Sequence, residues 1–184
     1  MRVIAGSARR MNLVAPKGEA TRPTQDRIKE TLFNMIQNEV PGSVFIDLFS
    51  GSGGIGIEAL SRGAKHAWFV ENGKEAAACI AENLKHTHLE DRGTLLKQDV
   101  VLALGSIREK EADLIYIDPP YDAGQYPRTL DMLSRMSWVT DRTLIIVECS
   151  RQEELSVAAD FGFEVVRVKN YKSNRHLFLK RAAK

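Results

Sequence analysis

Asp118-Pro119-Pro120-Tyr121 is the densest piece of chemistry in this sequence. Two consecutive prolines fix the backbone and remove two N–H donors, so the segment offers mainly acceptors: the Asp118 carboxylate and the Pro119 carbonyl. A planar amino group suits such a corner. The nitrogen of an exocyclic base amine is a poor nucleophile because its lone pair is delocalised into the ring. Two acceptors on its hydrogens localise that density and aim it at an electrophilic carbon, and Asp118 can take up the released proton. Tyr121 adds a ring on which a base can stack, worth about 1–3 kcal/mol against the few kcal/mol of unstacking. The bland alternative is a rigid turn at a strand end.

A second constellation lies upstream. Asp47-Leu48-Phe49-Ser50-Gly51-Ser52-Gly53-Gly54-Ile55-Gly56 runs from an apolar segment into a helical one, and Gly51, Gly53 and Gly56 satisfy G-x-G-x-x-G with Glu71 about 20 residues on. A loop without side chains lets a ligand approach the backbone and the helix start, and an acid ending the next strand can receive two ribose hydroxyls. NAD and S-adenosylmethionine both carry an adenosine that fits. Asp47 favours the second, since an acid before the turn repels a pyrophosphate but can help hold the ammonium of a methionine moiety. Phe49 and Asn72 flank these positions and join the cofactor set. Asp99 ends a third strand on the same edge; it either accepts from the adenine amino group, with the Val100 N–H supporting the ring, or caps the helix that follows. The glycines could also simply make a tight turn.

The elements that must position these residues alternate. Val3 to Ala5 and Met11 to Val14 read as a short basic hairpin protruding from the body, and Thr24 as the cap of a helix with Ile28, Leu32, Met35 and Ile36 at helical spacing. Strands follow around Val44 to Phe49, Ala67 to Val70, Thr94 to Leu96, Leu114 to Ile117 and Leu144 to Val147, with helices between them that include Gly54 to Arg62 and Glu75 to Leu84. This order implies right-handed crossovers and a parallel sheet covered on both faces. Phe163 to Lys169 and Arg175 to Leu179, joined by a short turn, must pair antiparallel. The expected fold is α/β, Rossmann-like: a mostly parallel seven-stranded sheet closed by an antiparallel hairpin, as one domain over 1–184, with a basic hairpin extension at 1–20 and a catalytic core at 21–184.

Composition narrows the function classes. The 184 residues are 43% hydrophobic and 27% charged, with no apolar run of membrane-spanning length and no signal-peptide pattern at the start. The expectation is a soluble cytoplasmic protein. Cys79 and Cys149 lack metal-ligand spacing and sit in apolar stretches, so both are expected reduced and buried; the four histidines are scattered, and no metal is expected. The net charge of +2 hides an uneven distribution: residues 1–30 carry +4, residues 161–184 carry +6, and the middle carries −8. Two basic ends suit a polyanion, because Lys and Arg gain affinity by displacing counterions from phosphates; a solvated surface accounts for charge alone equally well.

Taken together, these segments resemble the RsmD-type small-subunit ribosomal RNA guanine-N2 methyltransferases. The resemblance runs through Arg2-Val3-Ile4-Ala5-Gly6, the run Arg22-Pro23-Thr24-x-Asp26-Arg27-Ile28-Lys29-Glu30-Thr31-Leu32-Phe33-Asn34, the Asp47 to Gly53 loop, Glu58 to Ala64, Glu71 and the Asp118 to Tyr121 corner. It implies a class I methyltransferase fold, S-adenosylmethionine as donor with S-adenosylhomocysteine as product, and methylation of one guanine of 16S rRNA within a small subunit or its assembly intermediate. It places Arg22 and Thr24 near the cofactor mouth and RNA on Arg9, Arg10, Lys17 and Arg22, with Lys172 and Arg175 in a loosely matching carboxy-terminal stretch. A monomer is expected. Ser50 stands where the family commonly has Ala. Two rival functions use the same features: adenine-N6 methylation of DNA or RNA, and a non-catalytic RNA-binding assembly factor.

Overall fold

The computed structural model describes residues 1–17, 23–120 and 124–183, with the side chains of 23–25 also left aside. In chain order the elements are α1 Pro23–Met35, β1 Val44–Asp47, α2 Gly54–Ser61, β2 His66–Val70, α3 Lys74–His86, a 3₁₀ turn Glu90–Arg92, β3 Gly93–Leu96, α4 Val100–Ser106, β4 Leu114–Ile117, α5 Gln125–Ser134, β5 Leu144–Ser150, α6 Val157–Asp160, β6 Phe163–Asn170 and β7 Asn174–Arg181. The strands form one sheet in the order β3-β2-β1-β4-β5-β7-β6. β1 to β5 run parallel, whereas β7 is antiparallel to both β5 and β6. The parallel sheet with its closing antiparallel hairpin is the α/β fold expected from the sequence.

The apolar strands are continuous because both sheet faces are covered. Successive residues alternate between two cores: Ile46, Ile115, Ile117, Ile145 and Val147 pack with Leu104 of α4, Leu130 of α5 and Ala158 of α6. Phe45, Leu114, Tyr116, Ile146 and Phe178 turn the other way, onto Phe33 of α1, Ile57 of α2 and Ile80 of α3. Gly56 lets α2 lie close on the sheet, since a Cβ there would stand 2.3 Å from Phe69 Cε1. Strand order reverses between β1 and β4, so the crevice for a ligand opens at the carboxyl ends of these two neighbours.

Two expectations change at the amino terminus. The basic segment does form a short hairpin, with Val3 N donating to Met11 O and Leu13 N to Met1 O, both at 2.9 Å, around the antiparallel bridge Arg2 to Asn12, but it packs onto the body and does not protrude. Val3, Ala8 and Leu13 are buried in the second core. The backbone donors that a longer hairpin would use go elsewhere: Ile4 N and Ala5 N donate to the Glu58 carboxylate at 2.8 and 3.0 Å, and Val14 exchanges 2.8 and 2.9 Å bonds with the Asn83 amide. Ser7 N donates to Ser61 O at 2.8 Å, which requires the left-handed Gly6, where a Cβ would fall 1.8 Å from that oxygen. The first helix begins at Pro23, one residue before the expected Thr24 cap. Proline suits the first helical turn, where its missing N–H has no intrahelical partner and its φ is already set.

Cys149 is buried and Cys79, on α3, is half-buried rather than buried. Among the described residues no helix is long and apolar enough to cross a membrane, and no group of three or more His, Cys, Asp and Glu could hold a metal ion.

Candidate active site

Asp47 closes β1 with only 1% of its surface exposed. Burial pushes its carboxyl up to about 7; the Gly56 N–H, 3.3 Å from Oδ2, and the Phe49 N–H pull the other way, and the charge of Glu71 adds to the rise. Its Oδ1 accepts no hydrogen bond. An unsatisfied buried carboxylate oxygen is costly, and a cationic donor is the group that removes the cost.

The turn beyond Asp47 is built from its own backbone. Ser50 N donates to Val70 O at 3.0 Å, Ser50 Oγ to Asp47 O at 2.9 Å and Gly53 N to Ser50 O at 2.7 Å. Gly51 and Gly53 take φ of 53° and 83°, and a Cβ on Gly51 would project into open space. Glu71, just past β2, holds this turn: its Oε2 accepts from Gly51 N at 2.8 Å and its Oε1 from Gly73 N at 2.7 Å. Each oxygen keeps a lone pair for a hydroxyl. Phe49 is half-buried against the first core and Asn72 is exposed. Asp99 is exposed and caps α4, accepting from Val101 N at 2.8 Å, while Val100 is buried behind it. The helix-cap reading of Asp99 is thus what the structure displays, with its other oxygen still available.

Asp118 follows β4 directly, and Pro119 is buried beside it. β1 pairs with β4 so that Asp47 lies opposite Tyr116, which brings the glycine turn and the proline corner to one edge. Burial raises the Asp118 carboxyl well above the ordinary range, with Glu148 and Asp47 adding negative charge. Tyr121 and Arg22 lie outside the described residues, and of Thr24 only its place in α1 is described.

Arg9, Arg10, Lys17 and Lys172 are exposed, the first three on the amino-terminal segment. Arg175 differs: it is 9% exposed, and its guanidinium donates to the Glu153 carbonyl. A side chain so committed does not face a polyanion.

One cluster escaped the sequence reading. Glu148 on β5 receives Tyr116 OH at 2.7 Å, His176 Nε2 at 3.2 Å and the Asn174 amide, and Tyr171 OH meets His176 Nδ1 at 3.1 Å. The available signal was the single acid in the apolar run Leu144 to Cys149.

The chain has relatives over most of its length. The family described as Conserved hypothetical protein 95 matches residues 1–180. "Putative rRNA methyltransferase YlbH" of Bacillus subtilis is 38% identical over 157 residues, 84% of this chain and 85% of that protein. "Ribosomal RNA small subunit methyltransferase D" of Haemophilus influenzae is 32% identical over 157 residues, 84% of this chain and 81% of its own length. The solved structure of "Putative methyltransferase yhhF" from Escherichia coli superposes with a TM-score of 0.83 at 27% identity, covering 100% of this chain and 99% of that one. With the glycine turn, the proline corner and the sheet order all in place over matches of this length, the chain belongs to the RsmD-type methyltransferase family.

Proposed function

We propose that the protein uses S-adenosylmethionine to methylate the exocyclic N2 amine of a guanine in 16S ribosomal RNA, acting as a monomer in the cytoplasm on a small subunit or its assembly intermediate. The observation that carries this reading is the shared edge of β1 and β4, where an acid-flanked glycine turn meets the acceptor corner Asp118-Pro119. The names of the Haemophilus influenzae and Bacillus subtilis relatives support rRNA as substrate, and the resemblance to the guanine-N2 enzymes supports the base.

The residues fit the cofactor. The orphaned Asp47 Oδ1 suits its ammonium, Glu71 its ribose hydroxyls, and Asp99 with the Val100 N–H its adenine; Phe49, Gly51, Gly53 and Asn72 complete the set, to which the family resemblance adds Arg22 and Thr24. Bound there, S-adenosylmethionine would supply a methyl group on a positively charged sulfur, with S-adenosylhomocysteine as the product. The protein's part is to orient the amine. The Asp118 carboxylate and the Pro119 carbonyl accept its two hydrogens, which turns the nitrogen lone pair toward the methyl carbon and holds the displacement in line. Asp118 then receives the proton that the nitrogen sheds, and Tyr121 stacks on the flipped base. Arg9, Arg10, Lys17, Arg22 and Lys172 supply phosphate contacts.

Asp47 gives the binding step a pH dependence. Its carboxyl sits at about 7 in the free protein and must be ionised to hold an ammonium. Affinity for S-adenosylmethionine is therefore expected to be full above this value and to weaken about tenfold per pH unit below it. Calorimetry from about pH 5 to about pH 8 checks this, and a flat profile rules out the ammonium contact.

Tritiated methyl transfer onto small subunits, and separately onto naked 16S RNA, both lacking the modification, tests the function itself. Nucleoside mass analysis should return N2-methylguanosine. N6-methyladenosine would favour the adenine rival, and failure to bind the cofactor would favour an assembly factor.

A further inference from the structure

We propose that Glu148 is a positioning residue for the reaction: a carboxylate fixed beside Asp118 by Tyr116, His176 and Asn174, whose negative charge makes Asp118 the stronger proton acceptor of the two. This rests on the reading of Asp118 as the group that receives the amine's proton.

The sheet register puts the two acids side by side. Ile117 pairs with Val147 across β4 and β5, so Asp118 and Glu148 are the next residues on adjacent parallel strands. Across β5 and β7, Glu148 in turn faces His176. Two carboxylates in one partly buried place cannot ionise equally, and the one with donors keeps its charge. The donors are divided unevenly. Glu148 has the Tyr116 hydroxyl, the His176 ring and the Asn174 amide, whereas among the described residues no hydrogen-bond donor reaches the Asp118 carboxylate.

The remaining groups agree with this division. Burial pushes Glu148 up, but the bond and charge of His176, with the bonds from Tyr116 and Asn174, outweigh it and hold the carboxyl below its ordinary value. Asp118 moves the opposite way, through burial first, then the charge of Glu148, then Asp47 of β1. Facing the pair are Asp47 from β1, Tyr116 from β4, Asn174 and His176 from β7, and Tyr171 from the turn before it. His176 is fully buried, and Tyr171 OH on its Nδ1 fixes the ring so that Nε2 points to Glu148. The Tyr116 hydroxyl is likewise spent on Glu148, and burial followed by the Glu148 charge raises its pKa well above its ordinary value, so it acts as a donor and not as a base. A carboxylate raised above its ordinary range holds an accepted proton more firmly, and the neighbouring charge adds to the rise that burial produces.

The test is the pH dependence of turnover with both substrates saturating, read as tritiated methyl transferred to small subunits. The acid limb of wild type should lie above about pH 5, the top of the ordinary carboxylate range. In Glu148→Gln, which keeps shape and removes charge, the limb should move to lower pH by at least about one unit, with S-adenosylmethionine affinity unchanged within about twofold. Glu148→Asp, which restores the charge, should return the limb toward wild type. A limb unmoved in folded Glu148→Gln overturns the proposal. If that variant does not fold, a wild-type limb below about pH 5 overturns it just as well. An inactive Asp118→Ala combined with an unmoved limb defeats only the role of Glu148, while an active Asp118→Ala defeats the reading of Asp118 beneath it.

Discussion

Asp118→Ala is expected to bind S-adenosylmethionine as wild type does and to lose at least ~100-fold in turnover. The described residues proposed to hold the cofactor stand on β1, on the turn into α2, after β2 and at the start of α4, and none of these described residues bonds to Asp118. Truncation therefore leaves the cofactor half of the pocket intact. What goes is one of the two acceptors on the amine and the destination of its proton. The Pro119 carbonyl alone can still hold one hydrogen, so binding of the base weakens less than turnover falls. The variant should stay folded and gain slightly in stability at neutral pH, because it removes a carboxyl whose raised pKa reports an unfavourable site for charge. The sign follows from linkage: a raised folded pKa means that the native state binds more protons than the unfolded one, so stability declines as pH climbs from the ordinary carboxylate value toward the folded one. Cofactor calorimetry alongside single-turnover methyl transfer separates the two halves of the prediction, and turnover within a few-fold of wild type would refute it.

Glu58→Ala is expected to carry the largest cost in stability, about 3–5 kcal/mol, the usual penalty for removing one partner of a buried ion pair. Glu58 is fully buried on α2. It joins Arg62 Nε at 2.7 Å, Lys29 Nζ at 3.5 Å and the backbone N–H groups of Ile4 and Ala5. Lys29, 3% exposed, also donates to Arg2 O at 2.6 Å. Burial already lowers the Lys29 pKa, with Glu58 the main opposing influence. Without Glu58 the ammonium is left buried without its carboxylate, and two backbone donors of the amino-terminal segment lose their acceptor. Against a typical domain stability of about 5–15 kcal/mol the loss is a large fraction. Urea unfolding measures it directly. The double variant with Lys29→Met should recover part of the loss, since it removes the stranded charge; a single-variant effect below about 1 kcal/mol would contradict this account.

These cases also mark how far the sequence could be read. β4 is legible to the residue, Leu114 to Ile117, because an apolar run bounded by Asp113 and Asp118 has one way to lie in a doubly covered sheet. The positions of Asp47, Gly51, Glu71 and Asp118 at strand ends and a turn were legible because apolar runs and glycines mark those places locally. The amino-terminal segment misled because its alternation is real while its hydrogen-bond partners, Glu58 and Asn83, lie more than 50 residues away. Glu148 and His176 stayed hidden for a related reason: they meet only through the pairing of β5 with β7, which links positions 28 apart. Arg175 shows the converse, since a basic residue in a basic stretch gives no sign that its guanidinium turns inward.

The order of the strands has a last consequence, at the two margins of the sheet. β3 and β6 are the edge strands, each paired with a neighbouring strand on one side only. β3 protects itself by brevity, with four residues. β6 is twice as long and exposes Val166 and Val168, which would invite a strand from another copy. Its register breaks between Val165 and Arg167, and exposed Arg167 and Lys169 bring like charges against any identical strand that approached. A bulge and a pair of cations are the means by which long edges resist self-stacking into fibres. The chain thus ends its sheet on an open hairpin whose outer strand carries its own obstacles to pairing with a second copy.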